Sequence, residues 1–297
     1  MGALLGVPNV SEGGDQEVID DLAAAFSRGA VLLDRHSDAD HGRTVFTLAA
    51  RPGGGLLDSL IAGAAEAIER IEMDNYDGAH PAVGALDVCP LVWFDPADRE
   101  RAREEALAVA SQIGGLGVPV FLYGDLARGP ERTERAYFRG GGLAELWLRM
   151  ESGALTPDFG PAAPHRRGGA TLVTARPPLA AFNVELDSGD VEVARSVAAA
   201  LREAGGGLPG VRAMGLLLSS GRAQVSTNVH DPLAVPLGAV VERVRELAAP
   251  LGARPVEAEL VGLLPQAALA GYPEDVPIRG FDPERHLIEP RLAALGA

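Results

Sequence analysis

Apolar residues mark out the elements of this chain. From Asp15 onward Val18, Ile19, Leu22 and Phe26 recur at helical spacing and Gly29 closes the run, which predicts an amphipathic helix. A short strand from Leu4 to Asn9 precedes it. The strand-like runs AVLLDRH and RTVFTLAA follow, joined by the turn-like SDADHG. A second helix over Leu56 to Ile71 leads into the apolar strand GALDVCPLVWF. The order is βαββαβ.

The same order returns from Leu179. AAFNVEL reads as a strand and Asp190 to Leu201 as a helix, with Val191, Ala194, Val197 and Leu201 aligned. VRAMGLLL and RAQVSTNVH form a hairpin around Ser219, Ser220 and Gly221; a helix over Leu237 to Leu247 and the strand PVEAELVGLL follow. VPNVSEG-GDQEVIDDLAAAF lies over AFNVELDSGDVEVARSVAAAL, which sets Asn9 over Asn183. RTVFT lies over RAQVST, setting Arg43 over Arg222, so a duplication is expected. Each copy reads as a ferredoxin-like α+β sandwich, helices on one face of an antiparallel sheet. Between them lie a helix over Asp98 to Ile113, the strand VPVFLYG and the Pro/Gly-rich TPDFGPAAPHRRGGA. A terminal arm with a short helix ends the chain.

Alternation assigns the sheet faces. Phe182, Val184 and Leu186 point to the helices, leaving Asn183 and Glu185 opposite; Gln224, Ser226, Asn228 and His230 share one face of their strand. Asparagine within a strand is disfavoured. A solvated face accounts for any one of these residues, whereas a cleft between the halves accounts for them together.

Composition narrows the chemistry. A net charge of −15 argues against a nucleic-acid partner. No apolar run approaches the ~20 residues of a membrane span, and the first residues lack the form of a signal peptide. All 26 basic residues counted as Lys or Arg are arginine. That excludes a lysine Schiff base or phosphate-loop lysine and leaves arginine, helix starts or backbone amides to hold an anion. The single cysteine, Cys89, lies in an apolar run and reads as core. HSDADH offers His36 and His41 beside Asp38 and Asp40, but no further ligand closes a metal site, so it reads as a turn and no metal is expected. The glycine runs 53–55, 140–142 and 205–207 lack phosphate-loop spacing and read as loops or helix boundaries. His80 stands before Pro81 between Gly78 and Gly84, on a stiff loop entering a strand. Its residue type leaves structural and proton-transfer roles both open.

VPNVSEG, DADHGRTVFT, GAHPAVGALDVCP, VPVFLYG, PDFGP, TARPPLAAFNVEL and AQVSTNV together resemble the formiminotransferase family, from Val7 to about Leu264. The resemblance implies two tandem ferredoxin-like subdomains, residues 1–177 and 178–297, with a ligand cleft between them and a folate-binding linker at 157–170. It implies transfer of a formimino group from N-formimino-L-glutamate to N5 of tetrahydrofolate as co-substrate, by a cytoplasmic homodimer. The family's Gly-x-His-Pro histidine falls on His80. Its folate segment begins at Gly160 and Pro161 and ends at Gly168 and Gly169, enclosing Arg166 and Arg167. Asn9, Arg43, Asn183 and Asn228 complete the binding candidates from the two sheets.

Two departures stand out. Ala82 follows Pro81 where the family has arginine, so one anion-binding arginine is expected either to be missing or to be replaced by Arg35, Arg166 or Arg167. No cyclodeaminase portion is recognised, so a separate cyclodeaminase is expected to take the product. Two rival readings remain. One is a 5-formyl-tetrahydrofolate:glutamate formyltransferase; the other is a non-catalytic module binding folate or an amino acid.

Overall fold

Asp15 opens the first helix as its side chain suggests: its carboxylate accepts from the amides of Glu17 and Val18, satisfying donors that a helix start leaves open. The computed structural model describes residues 3–51 and 54–295, so Gly53 of the first glycine run lies outside the described residues. The chain divides into two α+β units, Met1–Arg176 and Pro177–Ala297.

The first unit runs β1 (Leu5–Gly6), β2 (Asn9–Val10), α1 (Gln16–Phe26), β3 (Ala30–Asp38), β4 (Arg43–Ala50), α2 (Leu56–Arg70), β5 (Leu86–Val92), α3 (Arg99–Gly115), β6 (Val120–Leu122), α4 (Ala136–Arg139), α5 (Gly142–Glu151) and β7 (Thr171–Arg176). β1 and β2 are two pieces of the expected first strand, and both lie antiparallel between β4 and β5. Pro8, which has no N–H for the ladder, stands at the break between them. β3 pairs outside β4, while β7 joins β5 in parallel and β6 joins β7 in parallel. The two parallel strands widen the sheet beyond the βαββαβ set. The sequence reading found β6 but missed β7, α4 and α5, because proline and glycine around them read as linker.

Two cores divide the faces of this sheet. Val10, Phe46, Leu86 and Cys89 pack with Leu22, Phe26, Leu60 and Val109 of α1, α2 and α3. Val88, Phe121 and Leu172 face the other way and pack with Phe138 and Leu146 of α4 and α5. Cys89 is fully buried and burial pushes its thiol up to about 12, as a core cysteine requires.

The second unit runs β8 (Ala180–Leu186), α6 (Val191–Leu201), β9 (Val211–Leu217), β10 (Ala223–Val229), α7 (Leu237–Ala248) and β11 (Pro255–Val261), then the short α8 (Pro283–His286) and α9 (Ile288–Ala293). Its sheet is antiparallel in the order β11-β8-β10-β9. Phe182, Val184, Leu186 and Val225 pack with Val197 of α6 and Val241 of α7. Asn183 stands opposite Ser226 and Glu259 in the register, and its Nδ2 donates to Glu259 Oε2 at 2.9 Å. The alternation read from AAFNVEL therefore holds.

Helices α1 and α2 meet where Gly63 faces Phe26. A methyl group on Gly63 would lie 2.1 Å from ring carbons of Phe26. Alanine would gain about 1 kcal/mol of helix propensity, but overpacking costs about 1–3 kcal/mol, and at that distance crowding wins. Gly63→Ala is expected to lower stability by about 1–2 kcal/mol in chemical denaturation. A stabilised variant would mean that Phe26 has room to turn away.

Candidate active site

The loop between α2 and β5 is shaped by close backbone contact. Gly42 has φ +60°, and a Cβ there would lie 2.7 Å from Gly78 Cα, so glycine is needed on the turn that meets this loop. The Tyr76 hydroxyl reaches the carbonyl of His80 at 2.6 Å and lies 3.1 Å from that of His41. The amides of Ala79 and His80 donate to the carbonyls of Asp40 and His41. The turn in HSDADH is itself fixed, because the Asp38 carboxylate holds both the amide and Nδ1 of His41 at 2.9 Å. Burial alone would raise the Asp38 carboxyl, but the hydrogen bonds from His41 outweigh it and bring the pKa to about 2.

Arg43 opens β4 on the face away from α1, α2 and α3, and every part of its guanidinium is engaged. Nε and Nη2 donate to Asn9 Oδ1 at 3.0 and 2.9 Å. Nη1 donates to Asp87 Oδ2 at 3.0 Å and to His80 Nδ1 at 2.9 Å. Asp87 is fully buried; Arg139 from the end of α4 shares its Oδ2, and the amide of Val83 donates to its Oδ1 at 2.9 Å. A bulge where β2 pairs with β5 turns two successive residues, Asp87 and Val88, off the face covered by α1, α2 and α3.

Burial and the surrounding charges act together on the His80 ring. Burial lowers its pKa, and the positive charges of Arg43, Arg139 and Arg135 lower it further, well below 6.5. The imidazole is neutral at physiological pH. Its Nδ1 lies 2.9 Å from both Arg43 Nη1, which can only donate, and the carbonyl oxygen of Pro81, which can only accept, so the two contacts pull the tautomer in opposite directions. Burial pushes Arg43 down to about 10, opposed by Asp87, so it stays charged at neutral pH. Burial raises Asp87, but Arg139 and Arg43 win and hold it below the usual carboxylate range. Tyr76 rises to about 12, mainly through burial.

Residues 165–170 are stitched to the same loop. Ala85 donates to the carbonyl of Gly168 at 2.9 Å, and Ala170 to that of Val83 at 2.7 Å. Gly169 has φ +68°, and a Cβ there would lie 2.3 Å from Val83 O.

A family model of the formiminotransferase domain's N-terminal subdomain matches residues 3–176, and one of the formiminotransferase domain matches residues 181–272. The chain belongs to the formiminotransferase family. It is 35% identical over 291 residues to a glutamate formimidoyltransferase of Streptococcus pyogenes serotype M1, covering 96% of this chain and 97% of the relative. It is 32% identical over 293 residues to a protein of the same name from Thermoplasma acidophilum, covering 96% of each. Pig formimidoyltransferase-cyclodeaminase is 38% identical over 273 residues, 89% of this chain but 50% of the relative.

Within this formiminotransferase, hydrogen bonds join His80, Arg43 and Asn9 directly, and Gly168 and Gly169 border their loop. Gly160, with φ +79°, lies instead by the start of β6, where a Cβ would meet Val118 O. Pro161 and Arg166 are exposed, and exposed Arg167 lies 3.7 Å from Glu72. Asn183 and Asn228 belong to the second unit's sheet, on β8 and β10. Ala82 is buried in the core, and Arg35 pairs with the exposed Asp20; the cations around His80 are Arg43, Arg139 and Arg135. Sequence reasoning missed Asp87, Arg139, Arg135 and Tyr76. One signal was available: a carboxylate inside the apolar run LDVCPLV must find a partner.

Neutralising Asp87 would leave the Arg43 and Arg139 guanidinium groups facing each other. Asp87→Asn is expected to cost about 3–5 kcal/mol of stability in denaturant titration. A variant within about 1 kcal/mol of the parent would show that the carboxylate does not hold this cluster together.

Proposed function

We propose that this formiminotransferase transfers the formimino group of N-formimino-L-glutamate to N5 of tetrahydrofolate, releasing 5-formimino-tetrahydrofolate and glutamate. The observation that carries the reading is a neutral imidazole fixed by Arg43 on the His80 loop. It occurs in a chain similar over nearly its whole length to proteins named glutamate formimidoyltransferase.

N5 attacks the amidine carbon and forms the new C–N bond, leaving N5 with a proton to lose. The bond from that carbon to the glutamate nitrogen then breaks, and this nitrogen must gain a proton. His80 carries the proton between them. The ring nitrogen that holds the free lone pair takes up the proton; where this is Nδ1, substrate carboxylates give Arg43 another acceptor to turn to. The imidazolium so formed sits among arginines, which makes it a strong acid toward the leaving nitrogen. Such transfer is worth roughly 10²–10⁴ in rate.

In this reading the folate contacts Gly160, Pro161, Arg166, Arg167, Gly168 and Gly169, and the glycine backbone beside the His80 loop supports close approach of a flat ring. Asn9 and Arg43 read the reacting end. Each unit is a ferredoxin-like sandwich, a reading supported by the orders β3-β4-β2-β5 and β11-β8-β10-β9. No helix among the described residues is long and apolar enough to cross a membrane. The enzyme acts as a cytoplasmic homodimer and hands its product to a separate cyclodeaminase.

The test is His80→Gln, assayed with N-formimino-L-glutamate and tetrahydrofolate. A kcat lower by about 100-fold or more, with folate affinity changed only a few-fold, is expected. A kcat close to the parent's removes His80 from the chemistry. Absence of formimino transfer by the parent removes the proposed activity.

A further inference from the structure

Tyr76 stands four residues before His80, and its ring packs against the core covered by α1, α2 and α3. Its amide donates to the carbonyl of Met73 at 3.3 Å, and the amide of Met73 donates to that of Arg167 at 2.9 Å. A short turn bonded to the segment that bears Gly168 and Gly169 therefore holds the base of this residue. From there the hydroxyl reaches two loops, 2.6 Å from the carbonyl of His80 and 3.1 Å from that of His41. A phenol has one proton to donate. The His41 carbonyl also receives the amide of His80 at 3.4 Å, and the shorter contact gives the hydroxyl proton to His80.

The backbone of His80 is thus fixed on both sides. Its N–H is bonded to His41 and its C=O to Tyr76, while Pro81 biases it to extended geometry. Neighbouring glycines leave room for the phenol. A Cβ on Gly78 would lie 2.5 Å from the Tyr76 hydroxyl, and one on Gly42 would lie 3.3 Å from the Tyr76 ring. Gly78 is not among the residues of positive φ, so what it supplies is space, and the hydroxyl fills it. Burying a hydroxyl is costly unless it is hydrogen-bonded. Phenylalanine would fill the same core without that cost, so the hydroxyl acts through the carbonyls it meets. One of these belongs to the residue whose Nδ1 lies 2.9 Å from Arg43 Nη1.

We propose that Tyr76 is a positioning residue for the reaction, its hydroxyl holding the His80 carbonyl so that the imidazole stays beside Arg43. The proposal rests on proton transfer by His80. Without the hydroxyl one side of the loop is released, and the ring gains water and moves off from Arg43. The charged and titratable groups that act on these two side chains are Arg43 of β4, Asp87 of β5, Arg139 and Arg135 of α4 and its N-cap, and His41 and Asp77 of the two loops. Burial and the charges of Arg43, Arg139, Arg135 and His41 all lower the pKa of His80, so release raises it toward 6.5.

The test is Tyr76→Phe in the full chain, which keeps the ring and removes the hydroxyl. It measures kcat, KM for both substrates, the nitrogen-15 NMR midpoint of His80 and stability in denaturant. A kcat lower by about tenfold or more is expected, with both KM values within a few-fold and the His80 midpoint moved up toward 6.5. An unmoved midpoint overturns the proposal whatever happens to kcat, and lost stability alone would make Tyr76 a packing residue. A raised midpoint with the parent's kcat overturns it too, because placement would then not matter to the reaction. If the parent transfers no formimino group, a raised midpoint in Tyr76→Phe upholds the positioning while the proposed reaction falls. If Tyr76→Phe does not fold, Gly78→Ala displaces the hydroxyl instead and is expected to give the same changes. The parent's midpoint in that variant would overturn the proposal.

Discussion

One buried carboxylate organises the candidate site. Asp87 has no exposed surface, yet it is ionised between Arg43 of β4 and Arg139 of α4 and is anchored by the amide of Val83. A charge so placed is tolerated only with full pairing, and meeting that need draws a strand, a helix and the His80 loop together. Arg43, held by Asp87 and Asn9, then has one direction left for Nη1, toward His80 Nδ1. The charge around the imidazole follows from how this buried carboxylate is neutralised.

The charge balance around His80 connects stability to chemistry. More guanidinium groups gather near the ring than Asp87 can offset, and they hold the histidine neutral. This arrangement favours proton return over proton storage, which suits a carrier between two nitrogens.

Much of the fold was legible in the sequence because periodicity reports burial. The helices from Gln16, Leu56, Val191 and Leu237 carry one apolar face each, and AAFNVEL alternates as a strand with one covered face must. β7, α4 and α5 were not legible, since they are short and set among glycine and proline. The site was legible only in part. His80 showed through its loop and its family motif, and Asn9 and Arg43 through the repeat. Arg139 stands on the short helix α4 and Arg135 at its N-cap, which no pattern announced, and Arg139 is held by pairing across 52 positions with Asp87. Ala82 drew attention to Arg35, Arg166 and Arg167, yet the cations that gather at His80 come from elsewhere in the chain.

The state of His80 is the claim on which the account turns, and nitrogen-15 NMR of the ring tests it directly. Titration of the parent with selectively labelled histidine, assigned by His80→Gln, should show a midpoint well below 6.5 for this ring. A midpoint at or above 6.5 would contradict it.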